Sequence, residues 1–119
     1  MKLIKIKDRC TKLKLKKSSS VIKLFDKVSI AYSTILEHKE DIEEVNCNIP
    51  LEEILDGKYM TDFFCKKTNG EYMVRECVYR SQLVLPRTLK LLDASYEYWN
   101  RRGVTDWGVV TDKEIGQDE

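Results

Sequence analysis

Lys58-Tyr59-Met60-Thr61-Asp62-Phe63-Phe64-Cys65, then Thr68-Asn69-Gly70, then Glu71-Tyr72-Met73-Val74-Arg75-Glu76-Cys77-Val78-Tyr79-Arg80: these two runs and the joint between them decide the fold. Both runs are rich in aromatic and β-branched residues, and Asn69-Gly70 between them is a hairpin-turn signal. An antiparallel hairpin sets Asp62 in one strand beside Glu76 in the next. Two carboxylates so placed can hold a hard cation such as Mg²⁺, with waters filling its remaining positions. Period-two alternation puts Glu76, Val78 and Arg80 on one strand face and turns Cys77 to the other, which reads as burial of Cys77.

Working outward, Val21, Ile22, Leu24, Phe25, Val28, Ala31, Tyr32, Ile35 and Leu36 recur at helical spacing. They predict a helix from about Ser20 to Glu37, with Ser18, Ser19 and Ser20 offering its N-cap. Asp41 to Asn48, with Ile42, Val45 and Cys47, reads as a strand that Pro50 ends. Asp56-Gly57 marks a turn before the hairpin. Beyond the hairpin, Leu85, Leu89, Leu92, Tyr96 and Trp99 share one side of a second helix. Pro86 suits its first turn and Gly103 its end. Val104 to Thr111 reads as a last strand. The order helix, strand, strand, strand, helix, strand predicts an α/β fold, a mixed central sheet flanked by helices.

A chain of 119 residues suits one domain. Its 21 basic and 20 acidic side chains nearly cancel, yet they are unevenly spread. Met1 to Lys23 is strongly basic, so residues 1–20 read as a basic N-terminal arm and residues 112–119 as a charged tail. Lys12, Lys14, Lys16 and Lys17, together with Arg87, are candidate contacts for nucleic-acid phosphate. A solvated, Lys-rich leader is the equal alternative for the arm. Arg101 and Arg102 read as a phosphate contact or as a capped helix end. Cys10, Cys47, Cys65 and Cys77 form no Cys-x-x-Cys pair, and His38 is the one histidine, which argues against zinc. Cys65 and Cys77 are placed to face each other across the hairpin, although buried free thiols are the default without a secretory signal. No apolar run approaches the ~20 residues of a membrane span. The expectation is a cytoplasmic protein with no membrane and no small-molecule cofactor.

From about Leu36 to Ile115 the chain resembles the TnsA family, the endonuclease subunits of heteromeric transposases. The matching phrases are Leu36-Glu37 through Ile42, Val45 and Pro50-Leu51; Tyr59-Met60-Thr61-Asp62-Phe63; Arg87-Thr88-Leu89 through Leu92; Tyr98-Trp99; and Trp107 to Thr111-Asp112-Lys113-Glu114. With the preceding helix included, the likeness spans about residues 21–115. It implies a restriction-endonuclease-like fold of the PD-(D/E)XK type and a Mg²⁺-dependent nuclease site. Carried over residue by residue, Asp62 and Glu76 take the catalytic and metal-binding positions. Val78 falls where that family has Lys, and Ser29 where it has a helical Glu. Arg80 and Lys66 are the candidates to replace the missing cation. The family's C-terminal partner-binding domain has no counterpart before Glu119.

The resemblance therefore implies a mobile-element or phage protein that acts in DNA transactions with impaired cutting chemistry, and with Mg²⁺ bound weakly or not at all. Its expected partners are DNA and a protein, either a transposase or ATPase or a host defence complex. The alternative is a repurposed pseudo-nuclease that inhibits or assembles with a protein complex, for example as a phage-encoded anti-defence factor.

Overall fold

The hairpin forms where the sequence places it. This computed structural model describes Lys2–Leu3 and residues 10–54 and 58–113. In chain order the elements are β1 (Lys2–Leu3), β2 (Thr11–Leu13), β3 (Ile22–Leu24), α1 (Lys27–His38), β4 (Ile42–Pro50), β5 (Tyr59–Lys67), β6 (Tyr72–Cys77), a 3₁₀ turn (Arg80–Val84), α2 (Pro86–Arg101) and β7 (Asp106–Val110). The expected order from α1 to β7 is therefore present.

Strands β5 and β6 pair antiparallel with Phe63 opposite Arg75 and Lys66 opposite Tyr72. The loop is Thr68-Asn69-Gly70, closed by Lys67 N–H on the Glu71 carbonyl at 2.8 Å. Gly70 sits at φ 87°, the left-handed position that a three-residue hairpin loop requires. On the other side of β5, β4 runs antiparallel, with Cys47 opposite Phe63 and Ile49 opposite Thr61. Strand β7 joins β6 in parallel after the crossover through α2. The result is a mixed sheet of four main strands, β4-β5-β6-β7, to which the short β1 adds at Tyr59–Met60 of β5.

Two apolar cores lie on opposite faces of this sheet. On one face, Val28, Tyr32 and Leu36 of α1 meet Val45, Phe63, Cys65, Met73, Cys77 and Val110. The antiparallel β2–β3 ribbon seals that core with Leu15, Ile22 and Leu24. On the other face, Trp99 of α2 packs with Leu51, Tyr59, Val74 and Val104. The molecule is thus an α/β protein with a helix on each side of the sheet. Among the described residues no helix is long and apolar enough to cross a membrane.

Four expectations change. The first helix begins at Lys27 rather than near Ser20, capped by the Asp26 carboxylate on Ser29 N–H at 2.7 Å. Val21 to Leu24 is instead strand-like, because Ile22 and Leu24 are buried while Val21 and Lys23 are exposed, an alternation of two. Of the basic leader, Lys2–Leu3 and residues 10–20 are built into the fold rather than hanging free of it. Cys65 does not face Cys77: its partner is Met73, four positions away. Finally, the buried stripe of α2 is Thr88, Leu92, Ser95 and Trp99, whereas Leu85, Leu89 and Tyr96 are exposed. The turn expected at Asp56-Gly57 and the tail beyond Lys113 lie outside the described residues.

The Asp62–Glu76 site

Cross-strand register carries the site. Extending the Phe63–Arg75 pairing by one residue sets Asp62 directly opposite Glu76. Extending the Cys47–Phe63 pairing sets Asn48 of β4 opposite Asp62 from the other side. Three polar residues thus form a row across three neighbouring strands.

Both strands of the β4–β5 pair change sides at this row. Thr61 accepts a hydrogen bond from the α2 residue Trp99, and Phe64 stacks on the same indole with centroids 4.8 Å apart. Residues three apart in a regular strand face opposite sides, so the alternation slips by one between them. Phe63, in between, packs edge-on against Tyr32 of α1. On β4, Val45 and Cys47 pack toward α1, while Ile49 packs toward α2. Asn48 takes up that switch at φ 58°, a left-handed conformation that Asn tolerates better than most residues. Its amide also donates to the Lys23 carbonyl at 2.7 Å, tying the sheet to β3.

The slip swings Tyr59 and Thr61 under α2, where they converge on Glu76. Glu76 Oε2 accepts from Tyr59 OH at 3.0 Å, Thr61 Oγ1 at 2.9 Å and Ser95 Oγ at 2.6 Å. Oε1 accepts from Asp62 N–H at 2.9 Å. Two indoles fix the direction of this network. Trp99 Nε1–H donates to Thr61 Oγ1 at 2.8 Å and Trp107 Nε1–H to Ser95 Oγ at 3.0 Å. An indole N–H only donates, so each hydroxyl accepts from it and passes its own proton toward Glu76. Asp62 reciprocates: its Oδ2 accepts from Cys77 N–H at 2.7 Å. Each acid therefore caps the backbone of the other's strand where the ladder opens.

Glu76 is fully buried and Asp62 is 3% exposed. Burial pushes the Glu76 carboxyl above the usual carboxylate range, against the opposing pull of the Ser95, Thr61 and Tyr59 hydroxyls. Burial, and then the charge of Glu76, also push the Tyr59 hydroxyl up, which keeps it a proton donor.

The Glu76 oxygens are not open to a hard cation in this arrangement. A hard cation needs carboxylate lone pairs that face open space and room for its waters. Here both oxygens of Glu76 already face N–H and O–H protons, and α2 covers them.

The remaining candidates are scattered. Val78 is 2% exposed, with its N–H on the Val110 carbonyl, so an apolar side chain fills the position where the resemblance expects lysine. Strand β6 ends at Cys77, and alternation does not extend to Arg80 as expected. Arg80 opens the 3₁₀ turn, and its N–H and guanidinium both bind Asp112, at 2.8 and 3.4 Å. Lys66 pairs with Glu43 at 3.5 Å. Ser29 lies buried on α1 against Cys77, across the sheet from the Glu76 carboxylate. Lys14 and Lys17 spend their ammonium groups on carbonyls, those of Leu15 and Ser18 for Lys14 and of Leu36 and Lys39 for Lys17. Lys12, Lys16 and Arg87 are exposed. Burial pushes the thiols of Cys47, Cys65 and Cys77 up to about 12, which holds them in the protonated form.

Sequence reasoning paired Asp62 with Glu76 but missed the four side chains that close over them: Tyr59, Thr61, Ser95 and Trp99. Ser95 carried a signal, a small polar residue at helical spacing between Leu92 and Trp99. No protein-family model matches the chain, and neither does any curated protein sequence.

Proposed function

We propose that this protein is a non-cutting relative of the TnsA-type endonucleases, on the restriction-endonuclease-like frame, that works by binding DNA in a mobile element or phage. One observation carries the reading. Asp62 and Glu76 meet across the β5–β6 pair, as the resemblance requires, yet both oxygens of Glu76 and Oδ2 of Asp62 are taken up by hydrogen bonds within the protein. A pair of acids arranged this way joins strands to helix. It leaves Glu76 no open oxygen for a metal, and buried Val78 supplies no charge to steady an attacking water.

The test is incubation of the purified protein with supercoiled plasmid and Mg²⁺ or Mn²⁺, beside its Asp62→Ala variant. No nicking by either protein, together with wild-type retention of labelled duplex in a gel, is the expected result. Metal-dependent nicking that vanishes in Asp62→Ala overturns the non-cutting part of the proposal.

A second reading, a factor that docks on a protein complex, is favoured by one feature. Val84 and Leu85 before α2, and Leu89 and Tyr96 on it, are exposed large apolar side chains, with Val84 79% exposed. Exposed apolar side chains spaced along one helix suit a protein contact. Pull-down of one stoichiometric partner, lost in Leu85→Asp/Leu89→Asp, together with absent duplex binding, would favour it over DNA.

A further inference from the structure

The β2–β3 ribbon sorts its side chains by face. Leu15, Ile22 and Leu24 point into the core under α1. Lys12 and Lys23 are cross-strand partners, both exposed. Directly opposed residues in an antiparallel pair hold their Cβ atoms about 5 Å apart, and like charges there repel. Among the described residues neither ammonium has an ion-pair partner, although Asp and Glu make up 20 residues of the chain. Lys16, at the ribbon's turn, is likewise exposed; its backbone N–H binds Glu37, and its ammonium has no ion-pair partner among the described residues. Lys14 and Lys17, beside them, behave differently and serve the loop and the end of α1. The ribbon thus separates Lys14 and Lys17, whose ammonium groups hold the fold, from the exposed Lys12, Lys16 and Lys23, of which Lys12 and Lys23 stand opposed.

We infer that the outward face of this ribbon docks on the sugar–phosphate backbone of duplex DNA, with Lys12, Lys23 and Lys16 as its phosphate contacts. The inference rests on the DNA-binding reading above. Charge complementarity names the occupant: two opposed cations lose their mutual repulsion when a phosphate lies between or beside them. The geometry also sets the mode. A two-stranded ribbon fits the major groove only when it stands clear of its domain. This one is fastened to the core by its leucines and isoleucine, so it meets phosphates from outside the groove. Binding of this kind is independent of base sequence and strongly dependent on salt.

The experiment measures anisotropy of a labelled duplex against salt for wild type, Lys12→Gln, Lys23→Gln and the triple variant with Lys16→Gln, with a melting curve for each. Each neutralised lysine should lower the slope of log K against log salt by about 0.9, and the triple by roughly 3. Melting temperatures should stay level or rise, since the Lys12–Lys23 opposition is removed. Wild-type binding with an unchanged slope in the triple variant sinks the ribbon and leaves DNA binding standing on another face. Absence of any salt-dependent duplex binding by the wild type sinks both readings together. Tighter binding to vesicles containing phosphatidylserine than to duplex overturns the choice of DNA.

Discussion

Ser95→Ala is the sharpest probe of the buried network. The substitution removes one hydroxyl and leaves the α2 backbone and its apolar packing unchanged. Two bonds go with it, the 2.6 Å donation to Glu76 Oε2 and the 3.0 Å acceptance from Trp107 Nε1–H. The first involves a carboxylate, and bonds to charged groups contribute about 1.5–3 kcal/mol. The second leaves an indole N–H without its acceptor, at a cost of about 1 kcal/mol because Trp107 is only partly buried and water recovers some of it. The expected loss is about 2.5–4 kcal/mol by urea unfolding at pH 7 followed by tryptophan fluorescence, with the m-value unchanged.

In a Glu76→Gln background the same change should cost only about 2 kcal/mol, about 1 for a neutral hydrogen bond and about 1 for the Trp107 indole. The pH arm has a definite sign. Ser95 donates to the ionised form, so its removal raises the folded-state pKa of Glu76 further above the unfolded value. Stability tied to the protonated form is present below the unfolded pKa and lost as pH rises through the folded pKa. The penalty of Ser95→Ala should therefore be smaller at pH 4 than at pH 8. Equal losses below about 0.5 kcal/mol in both backgrounds, flat with pH, would refute the assignment of Ser95 as a donor to Glu76.

Val78→Lys places an ammonium in a side-chain site that is 2% exposed, so it should cost at least ~2 kcal/mol in urea unfolding and yield no plasmid nicking; wild-type stability with new cleavage would contradict the closed site. Asn48→Ala keeps the left-handed φ of 58° without the amide bond to Lys23 and should lose about 1–2 kcal/mol, whereas Asn48→Gly relieves the backbone and should lose less in the same assay. Burial pushes the Asp106 carboxyl up, but bonds from Lys67 and Arg75 outweigh it and hold it below the usual carboxylate range. Its stabilisation is present above the unfolded pKa and lost as pH falls through the folded one. With a third of the side chain exposed, Asp106→Asn should cost under ~1 kcal/mol at pH 7, with less of a penalty at pH 3 and at high salt.

The hairpin was legible because its determinants are local. Asn69-Gly70 sets the turn, and the register that brings Asp62 to Glu76 follows from loop length alone. Helix α2 was equally plain from Pro86 and Gly103, yet its buried side was misjudged. Leu89 and Tyr96 look like core by hydropathy, whereas Ser95 goes inside because Glu76 needs a donor there, a demand raised by another strand. The start of α1 failed for a related reason. Val21, Ile22 and Leu24 satisfy a helical period and a strand period alike, and pairing with Thr11–Leu13 decides between them. The side-switch at Asn48 and Asp62 had no local signature, since it is imposed by pairing between two strands.

That switch makes β5 common property of both halves of the molecule. Its Phe63 and Cys65 belong to the layer beneath α1, while its Tyr59, Thr61 and Phe64 belong to the layer beneath α2. Peeling away either helix strips partners from a strand that the other still relies on. Loss of structure should thus be shared, with both faces melting at one temperature and neither surviving as a half-folded remnant.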